Sequence, residues 1–228
     1  MCEAQREMFE IEALRVQIGE RDAVAVQLAG MFMDHAECCV KLLEKEFPTT
    51  SFYLIQETKC APCCLDIVTA RIVGADALLH YGPRCHAPQR HSLAVYSFPG
   101  KMPLPDDALR EAVRRGKEAC LLETRNKKIL VEVSPEYSHR SETIKTEIRT
   151  AFRIDAEDED PPSDELFSVD LLVLFGRKSS YSSFLTTRNS FAAALHIDPS
   201  EGSFFYSTET ATRRYAQRSA LVERAKKG

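Results

Sequence analysis

The chain has 228 residues, 44% of them hydrophobic and 28% charged, a composition that excludes a disordered or collagen-like polymer and suits one large or two small globular domains. A net charge of -4 supplies no basic face, which argues against a nucleic-acid partner. No apolar run approaches the ~18 residues that span a bilayer, and the polar start MCEAQREMFE lacks the regions of a signal peptide, so a cytoplasmic protein with no membrane partner is expected.

In chain order, Met8 to Ile18 places Ile11, Leu14 and Ile18 at helical spacing, and Gly19 ends the helix. Ala23 to Leu28 is the first buried strand. Asp34, with Glu37 three residues on, is a candidate N-cap for a helix that turns Val40, Leu43 and Phe47 inward and stops at Pro48. Ser51 to Ile55 reads as a second buried strand, and Asp66 to Val73 as a helix closed by Gly74, with Ile67, Val68, Ile72 and Val73 as its apolar face. Ala77 to Tyr81 is a third buried strand and Ala94 to Phe98 a fourth. The proline-rich Pro99 to Pro105 marks a boundary, giving domains 1–103 and 104–228.

The second half repeats the alternation. Asp106 to Gly116 is a helix with Leu109, Ala112 and Val113 inward, Ile129 to Val133 a strand, and Ser141 to Phe152 a helix with Ile144, Ile148 and Phe152 on one stripe. The segment Asp155 to Glu165 holds seven acidic residues and two prolines and reads as a solvated loop. Val169 to Phe175 and Phe191 to Ile197 are strands, and Thr208 to Lys226 a closing helix. The fold class is therefore α/β: two related lobes, each a short, mainly parallel sheet flanked by helices.

Chemistry concentrates between Phe52 and Pro88. Cys60, Cys63 and Cys64 follow one strand, and Cys85 follows the next. A strand, helix and parallel strand of this length form a right-handed crossover, which brings both cysteine loops to the carboxyl edge of the sheet, where open α/β sheets bind ligands. Cys64 and Cys85 are thus expected to be neighbours. Eight cysteines in a cytosolic chain are expected to be reduced, so clustering points to metal or redox chemistry. Cys38, Cys39 and Cys120 read as small buried hydrophobes, and His80, at a strand end, as a hydrogen-bonded core histidine. Two readings rest on Cys60: a thiol-disulfide oxidoreductase using Cys60 and Cys63, because C-x-x-C at a helix start lowers a thiol pKa, and structural zinc on Cys60, Cys63, Cys85 and His86. Phosphate-loop, G-x-S-x-G and H-E-x-x-H patterns are absent.

The segment CCLD followed by GADALLHYGPRC resembles the signature of the diphthamide-synthesis proteins, and FEIEALRVQI, VAVQLAG, VEVSPEYSHR and HIDPSEG extend the resemblance over nearly the whole chain. The fit is closer to the second, non-catalytic subunit of the eukaryotic heterodimer. The resemblance implies a part in moving a 3-amino-3-carboxypropyl group from S-adenosylmethionine to a histidine of translation elongation factor 2. It implies a [4Fe-4S] cluster on Cys64 and Cys85, with Cys63 in place of Cys64 if the register shifts by one, and a heterodimer with the catalytic subunit 1 paralogue, served by electron-donor proteins. S-adenosylmethionine would then belong to the complex, and no residue of this chain is expected to be catalytic. Two departures matter. Ala29, Gly30 and Met31 stand where the family has Pro-Asp-Glu, and Cys60 where it has tyrosine. The family also has a third domain that supplies a further cluster cysteine, so the ligand set here is expected to be incomplete: the chain is a fragment or shortened product, or the ligand comes from elsewhere.

Overall fold

The computed structural model describes residues 5–19, 21–55, 63–83, 93–121, 123–124, 127–154, 168–177 and 190–208. The chain divides into two compact units, Met1–Pro103 and Leu104–Gly228. The acidic segment 155–165 and the closing helix expected to begin at Thr208 lie outside the described residues, but for Thr208 itself.

In the first unit the elements run α1 (Ile11–Ile18), β1 (Ala23–Leu28), α2 (Ala36–Glu46), β2 (Ser51–Ile55), α3 (Ile67–Ile72), β3 (Ala77–Tyr81) and β4 (Ala94–Phe98). The sheet is wholly parallel, in the order β2-β1-β3-β4. Side chains alternate across it with the strand period of two. Val24, Val26, Leu28, Ala77, Leu79 and Tyr81 pack against α1 and α2, whereas Ala25, Ile55 and Leu78 pack against Ala70 of α3. Because both faces are covered, β1 and β3 are buried almost throughout.

Three expectations need correction here. β2 is largely exposed, with Tyr53 42% and Leu54 45% accessible, because it is the sheet's outer strand. α3 turns Ala70 inward and leaves Val68 and Ile72 in solvent; in six residues the apolar spacing was compatible with either face. α2 is not capped by Asp34: a 3-10 helix, Gly30–His35, precedes it, so the N-cap position falls to His35, which makes no side-chain cap. β2 and β3, the strands joined through α3, are not paired with each other, since β1 lies between them.

In the second unit α4 (Asp106–Ala119), β5 (Ile129–Val133), α5 (Ser141–Phe152), β6 (Ser168–Phe175), β7 (Ser190–Asp198) and β8 (Ser203–Ser207) follow. The order is β5-β6-β7-β8, parallel except for the antiparallel β8, a strand missed in the sequence. Ile144, Ile148 and Phe152 of α5 are fully buried, as their spacing predicts. The molecule is therefore α/β, with two mainly parallel four-stranded sheets flanked by helices.

The two units repeat one edge. After β1 the amide of Ala29 donates to the Tyr81 carbonyl (2.7 Å), and after β3 that of Gly82 donates to Phe98 (2.9 Å). After β5 the amide of Ser134 donates to Phe175 (2.8 Å), and after β6 that of Gly176 to Ile197 (2.8 Å). Each first strand then runs into a 3-10 helix, whose aromatic residue packs edge-on against the second strand: Phe32 against Tyr81, and Tyr137 against Phe175.

Candidate functional site

The carboxyl edge of the first sheet carries a row of residues on the face shared with α3. Register aligns Ile55 of β2 with Gln27 of β1, Gln27 with His80 of β3, and His80 with Ser97 of β4. Gln27 is 1% exposed, and a buried amide must find partners inside the protein. It does so in the cysteine loop. Its Nε2 donates to the carbonyl of Cys64 (2.8 Å), and its Oε1 accepts from the amide of Asp66 (2.9 Å). Asp66 in turn caps α3, its carboxylate accepting from the amide of Thr69 (2.9 Å). The central strand thus pins the loop bearing Cys63 and Cys64 over the sheet edge, and the cap passes that anchor on to α3. Within the vicinal pair Cys63 is buried and Cys64 half-buried, so the two side chains meet different surroundings.

His80, next to Gln27 in the row, is 1% exposed. Burial lowers its pKa, an effect the Pro83 backbone opposes. Neither ring nitrogen makes a hydrogen bond of good geometry among the described residues, contrary to the expectation of a satisfied core histidine. Leaving a buried polar group unpaired costs about 1–3 kcal/mol, a penalty that needs a reason. Gly82, two residues on, makes room for the ring's tip: a Cβ there would stand 3.1 Å from His80 Nε2 and 3.2 Å from Cε1.

The remaining cysteines divide. Cys39 is fully buried in the α2 core and burial pushes its thiol up to about 12, as suits a small hydrophobe. Cys120 is half-buried at the end of α4. Cys38 departs from the expectation of a buried thiol, being half-buried and disulfide-bonded. Cys60, Cys85 and His86 lie outside the described residues, and with them the pairing of Cys64 with Cys85, the C-x-x-C reading and the zinc set. Among the described residues no three His, Cys, Asp or Glu side chains are grouped to hold a metal ion. What this edge does present is two vicinal cysteines on a loop bonded to Gln27, with the buried His80 next to Gln27 in the row; thiols are soft donors, which suit a thiophilic metal group better than a hard cation.

The matching edge of the second sheet has carboxylates in place of the thiols, beside another histidine, His196, whose Nε2 is buried without a hydrogen bond among the described residues. Glu136 is 5% exposed and accepts from the amide of Arg177 (3.2 Å); Asp198 is 2% exposed and accepts from the amide (2.9 Å) and hydroxyl (2.6 Å) of Ser200. Burial, with Glu136 and Asp198 nearby, raises the Tyr137 pKa. Gln27 and these acidic residues were missed as site-forming positions, because nothing in an isolated strand end announces which side chains will be enclosed.

A family profile described as "Putative diphthamide synthesis protein" matches residues 29–228. Relatives named 2-(3-amino-3-carboxypropyl)histidine synthase subunit 2 include one from Gallus gallus, 25% identical over 251 aligned residues, covering 96% of this chain and 50% of the relative. The Caenorhabditis elegans relative is 29% identical over 107 residues, 45% of this chain and 22% of its own; the Danio rerio relative is 33% identical over 94 residues, 41% and 18%. The chain thus spans about half the length of the chicken relative it matches from end to end. Among solved structures, the crystal structure of Dph2 from Pyrococcus horikoshii with a 4Fe-4S cluster is similar with a TM-score of 0.55 at 20% identity, over 95% of this chain and 64% of that one. At that identity the likeness establishes the fold.

Proposed function

The chain belongs to the family of diphthamide synthesis proteins, and from that premise we propose that it acts as the accessory subunit of the transferase that moves a 3-amino-3-carboxypropyl group from S-adenosylmethionine to a histidine of elongation factor 2. In this reading its partners are a catalytic paralogue, the elongation factor and electron-donor proteins in the cytoplasm, and it supports reduction of the paralogue's cluster without performing the transfer. The observation that carries the reading is the cysteine loop pinned by Gln27 at the carboxyl edge of the sheet, in a chain whose relatives are named as second subunits.

Thiolates fit the role by their softness, so Cys64 and Cys85 would hold a [4Fe-4S] cluster, with Cys63 as the alternative to Cys64. When bound, such a cluster supplies one-electron reduction. The protein's own work is to orient the ligands. Gln27 fixes the backbone at Cys64, and Asp66 fixes the start of α3, so a thiolate can be held without reorganising the loop. Two cysteines leave irons to be capped by further thiolates or small molecules, and the chain alone should assemble cluster poorly.

The test is anoxic reconstitution followed by iron and sulfide analysis of the chain and its Cys64→Ser and Cys85→Ser variants. The reconstituted chain is then incubated with elongation factor 2, S-adenosylmethionine and a reductant, with and without the catalytic paralogue. We expect transfer only with the paralogue, and loss of iron in both variants. Transfer by this chain alone would refute the accessory assignment.

A further inference from the structure

The carboxyl edge of the second sheet is polar where the same framework in the first unit is apolar. The repeated backbone pairing puts Ser134 in the place of Ala29, Glu136 in that of Met31, Tyr137 in that of Phe32 and Asp198 in that of Pro99. The first unit builds its edge with none of these polar groups, so the framework does not require them. Their burial has a cost, since an enclosed charge or hydroxyl destabilises the fold unless it is paired. Ser134 is 9% exposed, and its Oγ makes no hydrogen bond among the described residues. It lies in the gap that Gly176 leaves by having no side chain, and Glu136 Oε1 borders the same gap, 3.3 Å from where a Cβ would stand. Glu136 is 5% exposed, yet among the described residues its carboxylate receives one hydrogen bond, from the Arg177 amide, and no ion pair. The Arg177 guanidinium is engaged with Ser200 and Glu201 instead. Asp198 follows on the next strand beside Gly176, its Oδ1 taken up by Ser200 and Glu201. His196, two residues before Asp198 and so on the same side of β7, has a buried Nε2 without a partner among the described residues.

We propose that this edge is a binding site for a primary ammonium group, with Glu136 supplying the counter-charge and Ser134 Oγ a hydrogen-bond acceptor. The charge balance sets the sign of the ligand. Two buried carboxylates face one guanidinium, and burial with Glu136 and Asp198 raises the Tyr137 pKa against the opposing effect of Arg177. The donor set narrows the class, because among the described residues no three His, Cys, Asp or Glu side chains are grouped to hold a metal ion. An ammonium carries three N–H donors and no acceptor. The edge offers the complement: a carboxylate, a hydroxyl and, in its neutral form, an imidazole nitrogen. A donor bond from a cation to a carboxylate is also the strong kind. Because the gap is that of one missing side chain, a compact head group suits it better than a planar guanidinium. The same head group ends a lysine side chain of a partner protein and begins a free α-amino compound, and the test separates these two sources. The site lies wholly within the second unit and does not rest on the function proposed above, so a chain that holds no cluster leaves it standing.

The probes are n-butylammonium, which mimics a lysine side chain, and alaninamide, which carries an α-ammonium. Each is titrated at neutral pH into the full chain labelled with 15N, while the amide signals of Ser134, Gly176 and Arg177 are followed by nuclear magnetic resonance. We expect saturable shifts in the millimolar range with at least one probe, the tighter of the two naming the source. Tetramethylammonium, which has the charge but no N–H, and n-butanol, which has a donor but no charge, should give none. Glu136→Met and Ser134→Ala install the residues that the first unit carries at these places. Binding should weaken at least about tenfold in Glu136→Met, which removes a charged partner, and about threefold in Ser134→Ala, which removes a neutral one. Ser134→Ala should not lower the melting temperature of the free protein, because the hydroxyl it removes is unpaired. If Glu136→Met does not fold, Glu136→Gln, which keeps the shape without the charge, takes its place. No saturable shift with either probe would overturn the proposal, as would equal shifts with tetramethylammonium or binding unchanged in the Glu136 variant. A Ser134→Ala chain less stable than wild type would do the same for Ser134, making its hydroxyl a structural group.

Discussion

Where β3 and β6 leave their sheets, a glycine sits against the residue that ends the neighbouring strand, and the two glycines are not equally replaceable. At Gly176 a Cβ would overlap Ser134 Oγ and lie 2.6 Å from Ser134 Cβ, on a backbone with φ +123°, which L residues rarely adopt. At Gly82 the worst contact is 2.8 Å, to the Ala29 methyl. Backbone strain and overlap therefore add at Gly176, and we expect Gly176→Ala to cost about 2–4 kcal/mol, read as a lower denaturation midpoint. Removing the serine hydroxyl as well should not restore it, because the Ser134 Cβ is itself too close. Full recovery in the Gly176→Ala, Ser134→Ala double variant would contradict this account. His80 supplies a second residue-scale prediction. Burial lowers its pKa from the ordinary 6.5, so the unfolded chain takes up the proton first as pH falls. The contribution is present above about pH 6.5 and is lost as pH falls through the depressed folded value. Melting temperature should fall between pH 7 and 5 more steeply in wild type than in His80→Gln; parallel curves would exclude His80 as the source.

At the scale of elements, the cysteine loop is held by side chains on its neighbours, and the consequences can be separated. Gln27→Leu keeps the volume but leaves the Cys64 carbonyl and the Asp66 amide without their partner, two losses that together are expected to cost about 2–4 kcal/mol. Asp66→Ala removes only the cap and should cost about 1 kcal/mol. Both should speed thiol labelling at half-buried Cys64, and Gln27→Leu more so; an unchanged labelling rate in Gln27→Leu would show that the loop is held by other means. This loop also shows what was legible beforehand. Cys63 and Cys64 stood out, where the equally vicinal Cys38 and Cys39 did not, because they follow a strand at the edge where open α/β sheets bind ligands. Gln27 did not, because its partners lie 37 and 39 residues away and are backbone groups, which carry no sequence signature. The same contrast holds for the framework. β5 and α5 were readable to the residue, since apolar periodicity and a defined start agree over five and twelve residues. The burial of β2 was not, because FYLI looks alike in a central or an outer strand, and only the pairing order decides. β8 is not legible for a related reason: it pairs backwards onto β7 after a short turn, outside the alternation of strand and helix seen in the rest of the sequence.

For the whole molecule, the repeated edge means that one structural plan is used twice with different contents. In the first unit it holds thiols and the His80 imidazole, in the second Glu136, Asp198, Ser134 and the imidazole of His196. The first unit has apolar clusters on both faces of its sheet, one formed with α1 and α2 and one with α3. The hydrogen bonds by which Gln27, Asp66 and Thr69 hold the cysteine loop all lie within the first unit. Residues 1–103 number enough for a small core of their own, though a domain of this size is stable by only about 5–10 kcal/mol. We therefore expect residues 1–103, expressed alone, to unfold cooperatively, with Cys64 labelled at a rate within about fivefold of that in the full chain, since a difference below about 1 kcal/mol stays within that factor. Gly176→Ala, which acts at the other edge, should leave Cys64 labelling in the full chain unchanged, because sites without shared partners contribute independently. A first unit that is unfolded by circular dichroism, or a Cys64 rate that rises in Gly176→Ala, would show that the cysteine loop depends on the second unit. The contents of the two edges would then have to be understood as one energetic system.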